Sequence, residues 1–395
     1  MRLLKGVTQK DVASAVGVKR ATVTQWEQGR FRPSQEKITA LDAYLEADGA
    51  LIALGGRPEP APETPFATAA EILHEVGDCL VDLGTAGEKG VPIGWPHRLG
   101  GTGAEPSALS TAYGIRTMLL LDRADLDLPA LAALLAQKQL KDPLGAWSYK
   151  AADTAGPEVT AVVLSALARI GSGGADIDAA WSYIGEATME EPYHPFVLST
   201  VIESIAPLRP PAGLVKRLSE KLLDIRVEDG GQKVWGSAAP DPGNSAADLI
   251  KPKVASTARA VLALKTAIKF DPETRRLAAD VEKAVEWLTG ENFSLTQETE
   301  VLRMHKAKVS IDHFTAALVL RALADTYHRG GRLWNETLRV FWDSYLPNRH
   351  LWSWGDNRLP MWMNYDAVLA VLAVGLASIS SAHPRPATVS DSAAE

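Results

Sequence analysis

Apolar residues recur every three or four positions near the start of the chain, the spacing that turns one side of a helix into a core. The first such stretch predicts a helix over about residues 9–16, a turn at Gly17 and a second helix over about 19–28. Val12, Ala13, Val16, Val18, Val23 and Trp26 fall where two crossed helices bury them, and Gln9, Lys19, Arg20, Thr22, Thr24 and Gln25 are left facing outward. Pro33-Ser34 opens a third amphipathic helix carrying Ile38, Leu41, Leu45, Leu51 and Leu54. The periodicity stops at GGRPEPAPETP, residues 55–65, where dense proline denies backbone hydrogen bonds and favours an extended spacer. From Phe66 to about residue 382 the pattern is helix after helix, without sustained strand-type alternation, and the polar remainder, 383–395, is predicted to be disordered. The expected organisation is a small helical domain (1–54), a linker (55–65), a large helical domain (66–382) and a tail.

The small domain carries a denser motif. Thr8-Gln9, Val12-Ala13, Gly17-Val18, Thr22-Val23, Glu27, Gly29-Arg30 and Pro33-Ser34 stand in one register. In this register the segment resembles the Cro/lambda-repressor-like (XRE-type) helix-turn-helix family, whose second motif helix enters the DNA major groove. The resemblance implies that Gln9 holds a phosphate, that Lys19, Arg20, Thr22, Thr24 and Gln25 meet base edges or the adjacent backbone, and that Arg30 meets the flanking backbone. The residue chemistry agrees, because Arg and Gln carry the paired donors and acceptors that distinguish guanine and adenine. The family has a full helix ahead of its Thr-Gln, whereas only MRLLKG stands there, so a truncated first helix or an upstream start is expected. Residues 1–57 hold nine Lys/Arg and six Asp/Glu, or +3; with −7 for the whole chain, the remainder carries −10. Positive charge is therefore placed where a polyanion would be met.

The large domain repeats itself. Turns containing Gly and Trp lead through polar loops into helices rich in small apolar residues, and Thr111, Thr160, Thr200, Thr257, Thr315 and Asp366 align at intervals of 49, 40, 57, 58 and 51 residues. Each interval holds two helices and two loops, the signature of stacked hairpins that cannot bury their apolar faces singly. Trp95 with Thr111-Ala112, Trp147 with Thr160-Ala161, Trp235 with Thr257-Ala258 and Trp354 with Asp366-Ala367 carry a resemblance to the six-hairpin α/α toroid of terpene cyclases and protein prenyltransferases. The third and fifth units depart, with Phe196 and Phe293 nearest the Trp role. The expected fold class is thus all-α, a helix-turn-helix domain plus an (α/α)6 toroid.

Catalytic sets of the toroid families are missing from the sequence. Asp122-Arg123-Ala124-Asp125-Leu126-Asp127 lacks the adjacent carboxylates of a protonating acid, and no two Asp are adjacent anywhere. The single cysteine, Cys79, precedes the repeats and reads as a small buried residue. Glycoside hydrolysis would need only two carboxylates, and Glu105, Asp153, Glu158, Asp241, Asp248, Asp312 and Asp366 lie in or near loops leading to the inner helices. Helix capping accounts for them as well, and is the reading preferred. His97, His194, His305, His313 and His350 read as surface residues without metal-ligand spacing. Trp352, Trp354, Trp362 and Tyr365, with Asp366 and Asp312, are the candidate lining of a ligand pocket.

A chain with 46% hydrophobic residues, without a signal peptide or an apolar run long enough for a membrane span, is expected to be cytoplasmic and off the membrane. The expected function is a homodimeric regulator that binds double-stranded DNA and needs no cofactor or metal, its toroid non-catalytic and occupied by a small apolar ligand or a protein partner. Two alternatives stand beside it: a toroid enzyme, terpene-cyclase-like or glycan-active, fused to a DNA-binding domain, and a protein-interaction scaffold of a defence or stress system.

Overall fold

The computed structural model describes residues 7–27, 33, 35–45, 69–87, 90–101, 104–123, 126–149, 155–190, 194–237, 251–290, 295, 297–304, 307–326, 328–329, 331–355 and 358–381. The chain divides into two compact units, Met1–Thr68 and Ala69–Glu395.

In the first unit α1 (Gln9–Ala15), α2 (Arg20–Glu27) and α3 (Gln35–Tyr44) surround a small core of Val12, Ala13 and Val23, with Val7, Val18, Trp26 and Leu41 packed against it. Thr8 starts α1 through a capping box: its hydroxyl oxygen accepts from the Asp11 backbone N–H, and the Asp11 carboxylate accepts from the Thr8 N–H at 3.0 Å. Gly17 makes the turn at φ +66°, a left-handed backbone that a side chain would resist. Leu51 and Leu54 of the expected third helix lie outside the described residues.

In the second unit six inner helices pack side by side in a closed ring: α5 (Ala108–Leu120), α7 (Pro157–Ile170), α9 (Pro195–Ile205), α11 (Val254–Phe270), α13 (Thr315–Leu323) and α15 (Met361–Ser381), which returns to α5. The other helices, α4 (Ala69–Asp82), α6 (Leu128–Gln137), α8 (Ile177–Ala187), α10 (Leu214–Asp224), α12 (Ala278–Leu288) and α14 (Arg332–Asp343), alternate with them along the chain as an outer layer. This is an (α/α)6 toroid. The inner helices are buried on nearly every side, as in α7, where eleven consecutive residues from Pro157 to Leu167 are buried. Outer helices keep one apolar stripe, as α10 does with Leu214, Val215, Leu218 and Leu222.

A repeated clamp ties each Trp turn to both layers. The backbone N–H of Trp95, Trp147 and Trp235 donates to the hydroxyl of Thr111, Thr160 and Thr257 at 3.1, 3.1 and 3.2 Å. Their indole N–H groups donate to the carbonyls of Leu80, Leu135 and Leu222 on the preceding outer helices at 2.7–2.8 Å. Close approach requires small partners: a Cβ on Gly114 would sit 2.2 Å from the Trp95 ring.

The last repeat corrects the sequence alignment. Trp352, not Trp354, takes the clamp position, donating its N–H to Asn364 Oδ1 at 2.9 Å while the Asn364 amide returns a bond to the Trp352 carbonyl at 3.2 Å. Both halves of the motif recur two residues apart in the sequence, and only Asn364 supplies acceptor and donor together. Phe196 is no turn brace either; it lies inside α9, with its ring 5.6 Å from that of His313. Phe293 lies outside the described residues.

Strand structure, unexpected from the sequence, consists among the described residues of three antiparallel pairs: β1 (Val227–Asp229) with β2 (Gln232–Val234), β3 (Glu298–Met304) with β4 (Ala307–His313), and β5 (Tyr345–Leu346) with β6 (Leu351–Trp352). The β3–β4 hairpin runs seven residues in register from Glu298 opposite His313 to Met304 opposite Ala307. Its period-two signal is brief and abuts the α13 pattern, which hides it.

Replacing Thr160 with Val keeps the shape and removes the acceptor for the buried Trp147 N–H. We expect T160V to lose about 2 kcal/mol of stability in urea unfolding, with Thr160→Ser recovering most of it.

Candidate functional site

The first unit brings three of the sequence-predicted DNA-binding residues together. Gln9, the first residue of α1, faces α2, where its side-chain carbonyl accepts from Arg20 Nε at 3.4 Å and lies 3.2 Å from the Thr24 hydroxyl. Lys19 and Arg20 are exposed beside them, and Thr22 and Thr24 are half-buried. Gln9 thereby orients a guanidinium on the outer face of the second motif helix. Gln25 belongs to α2, but its side chain, like the whole of Arg30, lies outside the described residues.

The toroid interior holds a second constellation. Arg116 (α5), Glu203 (α9), Arg259 (α11), Arg321 (α13) and Asp366 (α15) meet at its middle. Arg321 pairs with Glu203 and, at 3.5 Å, with Asp366, which also lies 3.4 Å from Arg259. Burial alone would raise the Glu203 carboxyl, but Arg321, helped by Arg259 and Arg116, outweighs burial and holds it below the usual carboxylate range. Arg116 lies over the Tyr365 ring at 4.6 Å and, among the described residues, donates to Ser204 Oγ at 3.5 Å. The sequence signal for this network is a charged residue inside the apolar runs of α5, α9, α11, α13 and α15. Which of them share a level was not legible without the ring.

The candidate ligand pocket is distributed over several places. Tyr365 and Asp366 line the axial cavity beside this network. Trp352 is sealed in the core against Phe341, Trp342 and Tyr345, at ring distances of 5.3, 5.8 and 4.9 Å. Trp354 and Trp362 pack edge to face at 5.7 Å. Asp312 sits in β4, accepting from Thr299 at 2.8 Å.

Near the N-terminal ends of α7, α9 and α13 lie buried polar groups that sequence reading assigned to capping or to the surface. Glu158 is the second residue of α7; one carboxylate oxygen accepts from Tyr149 and the other is buried without a hydrogen-bond partner. Burial raises the Glu158 carboxyl, only partly opposed by the Tyr149 hydrogen bond. Burial, and next the Glu158 charge, raise the Tyr149 phenol well above its ordinary value. His313 is buried, correcting the surface assignment, with Nε2 3.3 Å from Glu300 Oε1. His194 caps no helix through its side chain, both its ring nitrogens are buried without a partner, and burial lowers its pKa. His350 pairs with Glu75 at 2.9 Å, His97 is exposed, and His305 lies outside the described residues. Glu105 is exposed, while Asp153, Asp241 and Asp248 lie outside the described residues. Among the described residues, no group of three His, Cys, Asp or Glu is arranged to hold a metal. Cys79 is half-buried and donates to the Arg349 carbonyl at 3.1 Å.

An open cleft of about 960 Å³ lies between α11, α12 and α13. Leu262, Val281 and Val285 supply apolar wall, Lys265 and Asp325 a charged rim, and Arg321 also lines it. That volume is in the range of sites for small organic molecules.

Comparison with known proteins separates the two units. A helix-turn-helix family model matches residues 1–50. The toroid is similar in fold to a glycoside hydrolase family 76 mannosidase from Bacteroides thetaiotaomicron, with a TM-score of 0.50 and 9% identity over 80% of this chain and 99% of that one. This likeness narrows the terpene-cyclase resemblance to the α/α toroid itself. The search of curated proteins gave no match. No described helix is long and apolar enough to cross a membrane.

Replacing Arg321 with Met removes the ion-pair partner of buried Glu203 and one of the two partners of Asp366. We expect R321M to cost about 3–5 kcal/mol in chemical denaturation, far more than a surface arginine replacement.

Proposed function

We propose that this protein is a sequence-specific DNA-binding transcriptional regulator whose toroid senses or docks and does no chemistry. The carrying observation is the Gln9, Arg20 and Thr24 cluster across α1 and α2, in a unit that matches a helix-turn-helix model. Gln9 fixes Arg20 before DNA arrives, which reduces the ordering needed to make a base contact. In favour of a silent role is the Arg/carboxylate network on the toroid axis, beside which the cavity of about 10 Å³ is too small for a sugar ring or a prenyl chain. The cleft beside α12 is the site we assign to a small organic ligand or a partner's side chains, and its occupancy changes how the reading helices are presented. Two copies bind together, on half-sites about one helical turn apart, as regulators with this motif do.

Selection from randomised duplexes tests the regulator reading. The full chain is expected to enrich one site. Arg20→Ala and Gln25→Ala should relax preference within it by about 1–3 kcal/mol per affected base, and Arg30→Ala should weaken all duplexes evenly. Enrichment of no sequence would end this reading.

A glycan-active toroid is the second reading. The mannosidase-like fold and two buried carboxylates, Glu158 beside Tyr149 and Glu300 beside His313, favour it. Incubation with manno-oligosaccharides is expected to give no cleavage; turnover that disappears in Glu158→Gln would replace the silent toroid with an enzyme.

A further inference from the structure

The axial network does not balance. Arg116, Arg259 and Arg321 bring three positive charges, and Glu203 and Asp366 bring two negative ones, all five side chains being largely buried. A buried lysine or histidine could shed its proton, but a guanidinium cannot. The phenols of Tyr113 and Tyr365 do not supply the missing charge either, since burial raises both above the ordinary tyrosine value and keeps them neutral. Arg116 is the unmatched member: among the described residues no carboxylate lies within ion-pair distance of it.

Beside this excess lies the small axial cavity, lined by Tyr113, Arg116, Thr200, Ser204, Arg259 and Asp366 among others. Two lining groups have no hydrogen-bond partner although buried, the Thr200 hydroxyl and Arg259 Nε. Ser204 Oγ accepts from Arg116, so its own hydrogen can point into the cavity. Two carboxylates also line it: the Asp366 oxygens face Arg259 and Arg321, and Glu203 Oε1 is held by Arg321. Of the groups left unspent, Arg259 Nε can only donate, and the Thr200 and Ser204 hydroxyls are able to donate. The space, about 10 Å³, is small and favours a compact occupant over an organic acid.

We propose that this cavity binds one small monoatomic anion, of the size and charge of chloride, between Arg116, Arg259 and the hydroxyls of Thr200 and Ser204. A water would satisfy the hydroxyls and leave the surplus charge buried; an anion satisfies both, and removing it restores an expensive unpaired guanidinium. The ion is structural and effector-like rather than catalytic, and the site stands whether or not the first unit reads DNA.

The test compares thermal unfolding of the full chain in potassium chloride and in potassium gluconate at the same ionic strength, about 150 mM. Wild type is expected to melt about 3 °C higher in chloride, with a saturable dependence on its concentration. Arg116→Gln removes the surplus charge and should melt at one temperature in both salts. Equal melting of the wild type in the two salts overturns the proposal, as does a chloride effect retained in full by R116Q. Should R116Q fail to fold, wild-type crystals grown in bromide decide: an anomalous peak among Arg116, Thr200 and Ser204 supports the site, and bromide found only at the surface overturns it.

Discussion

Closure of the inner ring is the constraint from which the large unit follows. Once α15 packs against α5, the six inner helices have neighbours on both flanks and outer helices behind, and little of them is left to water. Every polar group on those helices must then be answered from within the ring. Thr111, Thr160 and Thr257 are answered by the backbones of the Trp turns, which is why a hydroxyl stands four residues into each helix where a larger or apolar residue would leave a Trp N–H buried and unmet. Buried alanines recur on five of the six helices, α9 being the exception, which lets neighbouring backbones approach closely. Five charged residues are exceptions, and they converge near the axis, where Glu203 pairs with Arg321 and Asp366 is shared between Arg259 and Arg321.

Repetition made most of this legible in the sequence. The interval between Thr positions announced two helices per unit, and six units predicted the toroid before any packing was known. The same device misled at the sixth unit, where W-S-W and N-Y-D offer two alignments shifted by two residues; the choice of Trp352 with Asn364 rests on hydrogen-bond pairing that composition does not display. Glu158 and His313 were hidden for another reason. An acidic residue at the start of a helix satisfies the dipole argument whether it faces water or a tyrosine, and a histidine ending a strand just before a helix has no evident face until both elements are placed. The β3–β4 hairpin had only seven residues per strand to declare itself before the next helical pattern began.

The small unit was readable for the opposite reason. Its pattern is local: the capping box at Thr8, the glycine at Gly17 and the apolar spacing of α1 and α2 all lie within a few residues of each other, so no distant partner had to be guessed. What sequence could not supply was the bond from Arg20 to Gln9, eleven residues apart, which converts two separately plausible DNA contacts into one oriented pair. Such preorganisation acts on base discrimination more than on gross affinity, because phosphate contacts tolerate a mobile side chain and a two-point base contact does not.

A sensing role sets a physical condition on the toroid: an occupant shifts an equilibrium only if it binds two states of the protein differently. A closed ring of tightly packed helices deforms little, so the element with two arrangements must be a side-chain network rather than the ring. Arg321 meets that condition. It lines the cleft between α11, α12 and α13, and on its other side holds Glu203 and Asp366 on α9 and α15. Under the proposed sensing role, an anionic group entering the cleft is expected to compete with those carboxylates for the same guanidinium. In that proposal the competition links the occupant of an open cleft to helices it does not touch, through groups already in contact, without requiring any helix to move far.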